Sequence, residues 1–250
     1  MSAALEFRDV TLGYERHPAV HHLTGCVSPG ELLAVVGPNG GGKSTLLKGI
    51  IGAIRPFSGE ISLGGIEPGA IAYLPQQSDI DRSFPLSVFD LVAMGHWPRV
   101  GMFARLSRAN GEAVREALRD VGLDGFAERS IDALSRGQFQ RVLFARLLLQ
   151  DASLILLDEP FTALDQRTEA DLIEVVQRWH GQGRTIVAVM HDLDLVQRVF
   201  PTSLLLARDP VAWGASSDVL CAANLLTART LGASWGDDAA RCAIPGEAAA

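Results

Sequence analysis

Apolar residues along this chain come in short clusters, and their spacing changes twice. Residues 5–12 and 19–27 read as strands, the second broken at Ser28-Pro29-Gly30. Residues 31–36 (ELLAVV) form a short apolar run that stops at Gly37, the pattern of a buried strand entering a glycine loop. Leu46, Leu47, Ile50 and Ile51 then fall at helical spacing across residues 43–51, and brief strands are predicted at 60–63 and 71–74. From residue 88 to 150 the period is helical, most clearly over 108–121 and 138–150. Alternation returns after that: a strand at 154–157, a helix at 168–180, then apolar segments at 185–189, 193–199 and 202–207. Such alternation predicts an α/β fold with a mostly parallel sheet and helices on both faces, interrupted by a helical insert of about 70 residues. No repeat or long linker divides the chain, and the Ala-rich stretch 237–250 is expected to be a frayed tail.

Composition narrows the classes. With 48% hydrophobic and 20% charged residues the chain is ordinary globular material. A net charge of -7 supplies no stripe of Lys and Arg to replace counterions on a phosphate backbone, so no nucleic-acid partner is expected. The three cysteines, Cys26, Cys221 and Cys242, lie far apart without a CxxC pair, which points away from a disulfide framework and toward a reducing compartment. The opening residues carry Glu6 and Asp9 and no apolar signal core. Apolar runs such as 147–149 and 154–157 fall well short of the ~20 residues of a spanning helix, so a soluble chain is expected.

Two constellations carry chemistry. Gly37-Pro38-Asn39-Gly40-Gly41-Gly42-Lys43-Ser44-Thr45 fits G-x-x-x-x-G-K-[ST] between a predicted strand and a predicted helix. Backbone N–H groups of such a loop wrap phosphates, the helix N-terminus adds its dipole, Lys43 reaches the outer phosphates and the Ser44 hydroxyl can ligate Mg²⁺. ATP with Mg²⁺ is the implied ligand. Leu154-Ile155-Leu156-Leu157-Asp158-Glu159 is a buried-looking strand that delivers two acids to its C-terminal end, where ligands bind in open α/β sheets. Asp158 is placed to hold the Mg²⁺ shell, directly or through water. Glu159 is placed as general base or water-positioner for attack on the γ-phosphate.

Leu134-Ser135-Arg136-Gly137-Gln138, ahead of an amphipathic helix, resembles the LSGGQ signature of ATP-binding-cassette (ABC) ATPases. Further marks follow in the family's order: Tyr14 where an aromatic stacks on adenine, Gln76 in YLPQ, Ala163-Leu164-Asp165 after the acids, and His191 after the strand at 185–189. The resemblance spans residues 5–220 and implies a P-loop NTPase (RecA-like) core with an N-terminal antiparallel β subdomain and an inserted helical subdomain. On that basis residues 1–236 are expected to be one ABC domain, with the helical insert at about 78–151 and a flexible tail at 237–250. The family pattern also implies a head-to-tail homodimer in which each ATP lies between one phosphate loop and the partner's signature. Ser135, Gly137 and Gln138 would face the γ-phosphate from across that interface. His191 would orient the γ-phosphate and attacking water, Gln76 would couple the Mg²⁺ site to the helical insert, and Asp165 would link the two sites. Arg136 stands where the family has its first Gly, and slower or altered turnover is expected rather than an inactive site.

Residues 79–95 (DIDRSFPLSVFDLVAMG), FARLLLQDASLILLDEPFTALD and HDLDLV resemble the ATPases of zinc and manganese importers. Zinc is the first expectation and manganese the second, with iron-chelate and cobalamin importers as close relatives. The implied partners are integral-membrane permease subunits and, indirectly, an extracytoplasmic metal-binding protein, with this chain at the cytoplasmic face of the membrane. A non-transport assembly ATPase and half of an exporter are the alternatives. His17, His21 and His22 lie close in sequence, but the segment reads as a turn entering a strand, with His21 and His22 on opposite faces and no shared metal.

Overall fold

The computed structural model describes residues 3–15, 17–101 and 107–234. They form two compact units: one from the chain up to Ile66 together with the part from Thr185 onward, the other from Glu67–Arg184.

The first unit opens with β1 (Leu5–Tyr14) and β2 (His17–Val27), an antiparallel hairpin whose alternate residues Leu5, Phe7, Leu12, Val20, Leu23 and Val27 are buried. His17 already pairs with Tyr14, so the expected turn at 17–18 is strand, and Glu15 just before it carries a positive φ of 46°. The following β3 (Leu32–Val36) is buried at every position, as its unbroken apolar run requires. After the glycine loop come α1 (Lys43–Ile50) and β4 (Ser58–Ser62), the latter antiparallel to β1.

The second unit begins at β5 (Ile71–Leu74) and continues through α2 (Val88–Ala93), α3 (Trp97–Val100), α4 (Arg108–Asp120) and α5 (Arg136–Gln150) to β6 (Leu154–Asp158) and α6 (Gln166–Gly181). β5 and β6 run parallel, with Ile71 opposite Leu154 and Leu74 opposite Leu157. Helix α4 buries one stripe, Val114, Ala117 and Leu118, and leaves its polar face to solvent. Helix α5 instead buries Phe139, Gln140, Val142, Leu143, Phe144, Ala145 and Leu147, and Phe144 stacks on Trp179 of α6 with ring centroids 5.6 Å apart. Ser87, Ser107 and Asp165 accept from backbone N–H groups and start α2, α4 and α6.

Back in the first unit, the chain adds β7 (Thr185–Val189), α7 (Leu193–Val199), β8 (Thr202–Ala207), β9 (Asp209–Ala215), α8 (Ser216–Val219) and α9 (Ala222–Ser234). β3 lies between β7 and β8, parallel to both. β9 turns back antiparallel on β8, and the apolar pattern does not announce it: DPVAWGA is half-buried, with Pro210 and Gly214 breaking the run. Its anchor is Trp213, whose ring meets Phe7 at 6.0 Å. The tail expected at 237–250 lies outside the described residues. No described helix is long and apolar enough to cross a membrane.

Candidate functional site

In the first unit, the strand-to-helix turn of residues 37–42 depends on glycine at two places. Gly42 has φ 90°, and a Cβ there would sit 2.1 Å from the Ala19 carbonyl oxygen. At Gly37, φ is 148° and the corresponding distance to the Leu206 oxygen is 1.9 Å. Gly41 is packed as well: a methyl would fall 2.8 Å from the Leu206 oxygen and 2.9 Å from that of Pro38. Asn39 and Gly40 form the exposed crest of the loop, while Thr45 is buried at the start of α1. Lys43 is buried, and its Nζ donates to the carbonyls of Gly37 (3.0 Å) and Pro38 (2.9 Å), which folds the ammonium back over the loop it would serve. Ser44 is half-exposed in the first turn of α1.

Tyr14 and His191 belong to the same unit. Tyr14 ends β1 with 49% of its surface exposed. His191 follows β7, and a cleft of about 160 Å³ brings it together with Gly37, Pro38 and, from α9, Leu225 and Arg229. The contribution of α9 was not foreseen, because its sequence has no amphipathic period to mark a packed face.

In the second unit, β6 delivers the acids as expected. Asp158 is its last residue and 1% exposed, with the Tyr73 hydroxyl donating to it at 3.5 Å. Glu159 turns the chain with φ 51°, a left-handed conformation that a residue with a long side chain holds only when its surroundings impose it. Its carboxylate accepts from Gln76 Nε2 at 2.9 Å and from Thr162 Oγ1 at 3.3 Å. Gln76 is therefore brought to the acid expected to act as base. A cleft of about 260 Å³ is lined by Gln76, Gln77, Ser78, Arg82, Arg136, Glu159 and Thr162.

The Ser135 turn is built by a capping box. Ser135 Oγ accepts from the Gln138 N–H at 3.2 Å, and the Gln138 side-chain oxygen accepts from the Ser135 N–H at 3.0 Å. The amide oxygen of Gln138 is thus spent locally, whereas the Ser135 hydroxyl keeps its proton to donate elsewhere. Gly137 is half-buried, and a Cβ on it would come 3.4 Å from Thr168 Oγ1 and 3.6 Å from Asp165 Oδ2. Asp165 caps α6, accepting from the Thr168 N–H (3.0 Å) and hydroxyl (2.8 Å), and these bonds hold its carboxyl below the usual carboxylate range. Its expected role between two sites thus starts from a side chain already engaged in its own helix. Arg136 is exposed, and its carbonyl accepts from Gln77 Nε2 at 3.3 Å.

Three residues in this unit went unmarked in the sequence. Gln77 donates to Gln140, Gln140 donates to the Pro160 carbonyl, and Arg82 donates to the carbonyls of Ile131 and Leu134. The available signal was a lone amide at 140 among Phe139, Val142 and Leu143, a polar group in a buried stretch that must find partners.

A family profile described as ABC transporter matches residues 20–162, over half of the chain. The chain belongs to the ABC transporter family. Among curated ABC relatives, the manganese transport system ATP-binding protein MntB of Listeria monocytogenes is 39% identical over 84% of this chain and 89% of its own length. The zinc transport system ATP-binding protein TroB of Treponema pallidum is 40% identical over 85% and 81%. A chain of an inward-facing ABC transporter superposes with a TM-score of 0.79 at 31% identity, covering 90% of this chain and 88% of that one. An ATP-binding cassette captured as a dimer with ADP and Pi shares the fold at a TM-score of 0.73 and 24% identity, covering 85% and 98%. The α/β architecture with its separate antiparallel sheet is thus the ABC ATPase fold, and ATP is its ligand.

His17, His21 and His22 do not converge. His21 is buried, and burial pushes its imidazole below the usual pKa, while His22 is exposed and pairs with Asp9 at 2.7 Å. Among the described residues no three His, Cys, Asp or Glu side chains gather as a metal cage.

Proposed function

We propose that this chain is the ATP-hydrolysing subunit of an ABC importer for a divalent transition metal, manganese or zinc. The observation that carries the reading is the hydrogen-bonded Gln76–Glu159 pair at the end of β6, in a chain related to the ATP-binding proteins of manganese and zinc transport systems. An amide that grips the candidate base makes the position of that base depend on the segment after β5. This is the arrangement expected of a motor whose chemistry must answer to a partner.

In this reading the loop 37–45 and Lys43 bind the phosphates, Tyr14 stacks on the adenine, and His191 orients the γ-phosphate. Water attacks the γ-phosphorus as the bond to the bridging oxygen breaks and ADP leaves, and Glu159 positions the water and takes its proton. Mg²⁺ would neutralise phosphate charge, held by Ser44, Asp158 and Gln76. That donor set is all oxygen, which suits a hard cation, and Gln76, donating to Glu159 through Nε2, keeps its amide oxygen for the metal. Two copies act as a homodimer, with Ser135 and the Gly137 N–H of one copy meeting the ATP of the other. Permease subunits and an extracytoplasmic metal-binding protein complete the transporter, and this chain works at the cytoplasmic face. The transported metal is cargo of those partners, which is why relatives of near-equal identity serve manganese in one organism and zinc in another.

The test is a reconstituted complex with the permease. Glu159→Gln is expected to bind ATP, abolish turnover and accumulate an ATP-bound dimer, and uptake of radioactive manganese or zinc by the parent complex identifies the cargo. A Glu159→Gln chain that never dimerises with ATP and magnesium, or a complex that moves neither metal, would refute the reading.

A further inference from the structure

Glu159 sits in a left-handed conformation (φ 51°), and Ala163 four residues on does the same (φ 57°), so the turn after β6 is strained at both ends. Such a turn persists only where neighbouring groups over-determine it. A buried side-chain amide grips its backbone from outside: Gln140 Nε2 donates to the Pro160 carbonyl at 2.7 Å. Gln140 is 2% exposed, and its other amide atom, Oε1, accepts from Gln77 Nε2 at 2.5 Å. Gln77 also donates to the Arg136 carbonyl at 3.3 Å. Both ends of the buried amide are therefore used, one on the turn that carries Glu159 and one on the residue that follows Gln76. Within the same segment Arg82 donates to the carbonyls of Ile131 and Leu134, directly ahead of Ser135, with its guanidinium 4.7 Å over the Phe139 ring.

We propose that Gln140 is a positioning residue for hydrolysis: its amide bridges Gln77 to the Pro160 carbonyl, so that the backbone geometry of Glu159 follows displacement of residues 77–82. The proposal rests on Glu159 being the base. The bond from Gln76 grips the carboxylate itself. The Gln77–Gln140–Pro160 chain sets the peptide from which that carboxylate springs. When residues 77–82 move, both grips change together, and because Gln140 is buried no water replaces its lost partner cheaply.

The test is steady-state ATP hydrolysis by the full chain in its transporter complex. Gln140→Met preserves length and volume without hydrogen bonds, and Gln77→Met removes the donor at the other end. Each is expected to lower kcat about tenfold, the scale of a small misplacement near reacting atoms, while KM for ATP stays within about twofold. The double variant is expected to be no worse than the poorer single one, since both break one chain of contacts. Gln140→Glu keeps the acceptor for Gln77 but has no donor for Pro160, and its kcat is expected to match Gln140→Met. Parental kcat in Gln140→Glu, or losses that multiply in the double variant, would overturn the proposal. Should Gln140→Met fail to fold, Gln77→Met at its half-exposed position decides, and unchanged kcat there overturns it. Glu159→Gln in the same assay separates the two ideas. If it turns over ATP like the parent, the assignment of the base falls and the relay with it; if it is inactive while the Gln140 and Gln77 variants run at full rate, the relay alone falls.

Discussion

Two glycines of the phosphate loop look alike in sequence and differ in physics. At Gly40, φ is 75° and nothing lies within 4 Å of an added Cβ, so alanine there costs only the left-handed backbone, about 1–2 kcal/mol. Gly42 combines φ 90° with a Cβ position 2.1 Å from the Ala19 oxygen and 2.7 Å from Val20 Cγ2, and the strand behind it cannot retreat without breaking its pairing with β1. Gly42→Ala is therefore expected to lower the melting temperature and weaken ATP binding by at least about tenfold, with Gly40→Ala far milder, as backbone strain plus a clash must exceed strain alone. Calorimetric titration of ATP against both variants checks the ranking, and equal affinities would refute it. The motif was plain in the sequence, but not which glycine is crowded, because the crowding atoms come from β2 and from Leu206, far along the chain.

Among the elements, α5 bears the most, since it carries the Ser135 turn at its start and Asp151 at its end. The capping box gives Ser135 a role in the helix beside its proposed role toward ATP, and substitution can part the two. Ser135→Asp keeps an acceptor for the Gln138 N–H and places a negative charge at a helix N-terminus, so thermal stability should hold or rise slightly. The same change removes the hydroxyl donor and sets a carboxylate against a phosphate, so ATP-driven dimerisation, measured by size exclusion, is expected to be lost. At the far end, Asp151 ends the helix at φ 48° and accepts from Arg99 (2.6 Å) and Arg184 (2.8 Å). The Arg99 hydrogen bond foremost, then the charge of Arg184, hold its carboxyl below the usual range. Its folded pKa is thus lower than the unfolded one, so its contribution is present above about pH 4 and is lost as pH falls through the folded value. The gap in melting temperature between the parent and Asp151→Asn should therefore be open at pH 7 and narrow below pH 4; a gap independent of pH would contradict the assignment. The helical and strand pattern made most elements legible before any coordinates, including α5 and the strands β3, β6 and β7, because each buries a whole apolar run. It missed β9 and α9, where one tryptophan or a weakly patterned helix does the anchoring, and it missed Gln140 because a hydrogen-bond chain has no periodicity.

At the scale of the whole molecule, the candidate nucleotide residues fall in both compact units. The first holds the phosphate loop, Tyr14 and His191, and the second holds the acids, Gln76 and the Ser135 turn. Under the proposed function, a contact with the permease is sought on the unit that bears the proposed base, Glu159. Phe84 is 59% exposed on the segment following Gln76, and Trp97 in the same unit is 39% exposed, whereas most other large apolar side chains described are buried. Residues 79–95 resemble the ATPases of zinc and manganese importers, but the resemblance does not say which side chain stays uncovered; exposure singles out Phe84. Removing an exposed aromatic costs the isolated chain little, while an aromatic filling a partner's pocket is commonly worth about 2 kcal/mol or more. Phe84→Ala is thus expected to leave folding and unstimulated ATP hydrolysis unchanged and to weaken assembly with the permease about thirtyfold or more, the ratio that 2 kcal/mol commands. Pull-down of the tagged permease at graded chain concentrations, beside the ATPase rate of the chain alone, reads both quantities. Undiminished assembly would mean that the permease grips another surface, and a fall in the unstimulated rate would mean that Phe84 serves the site rather than the contact.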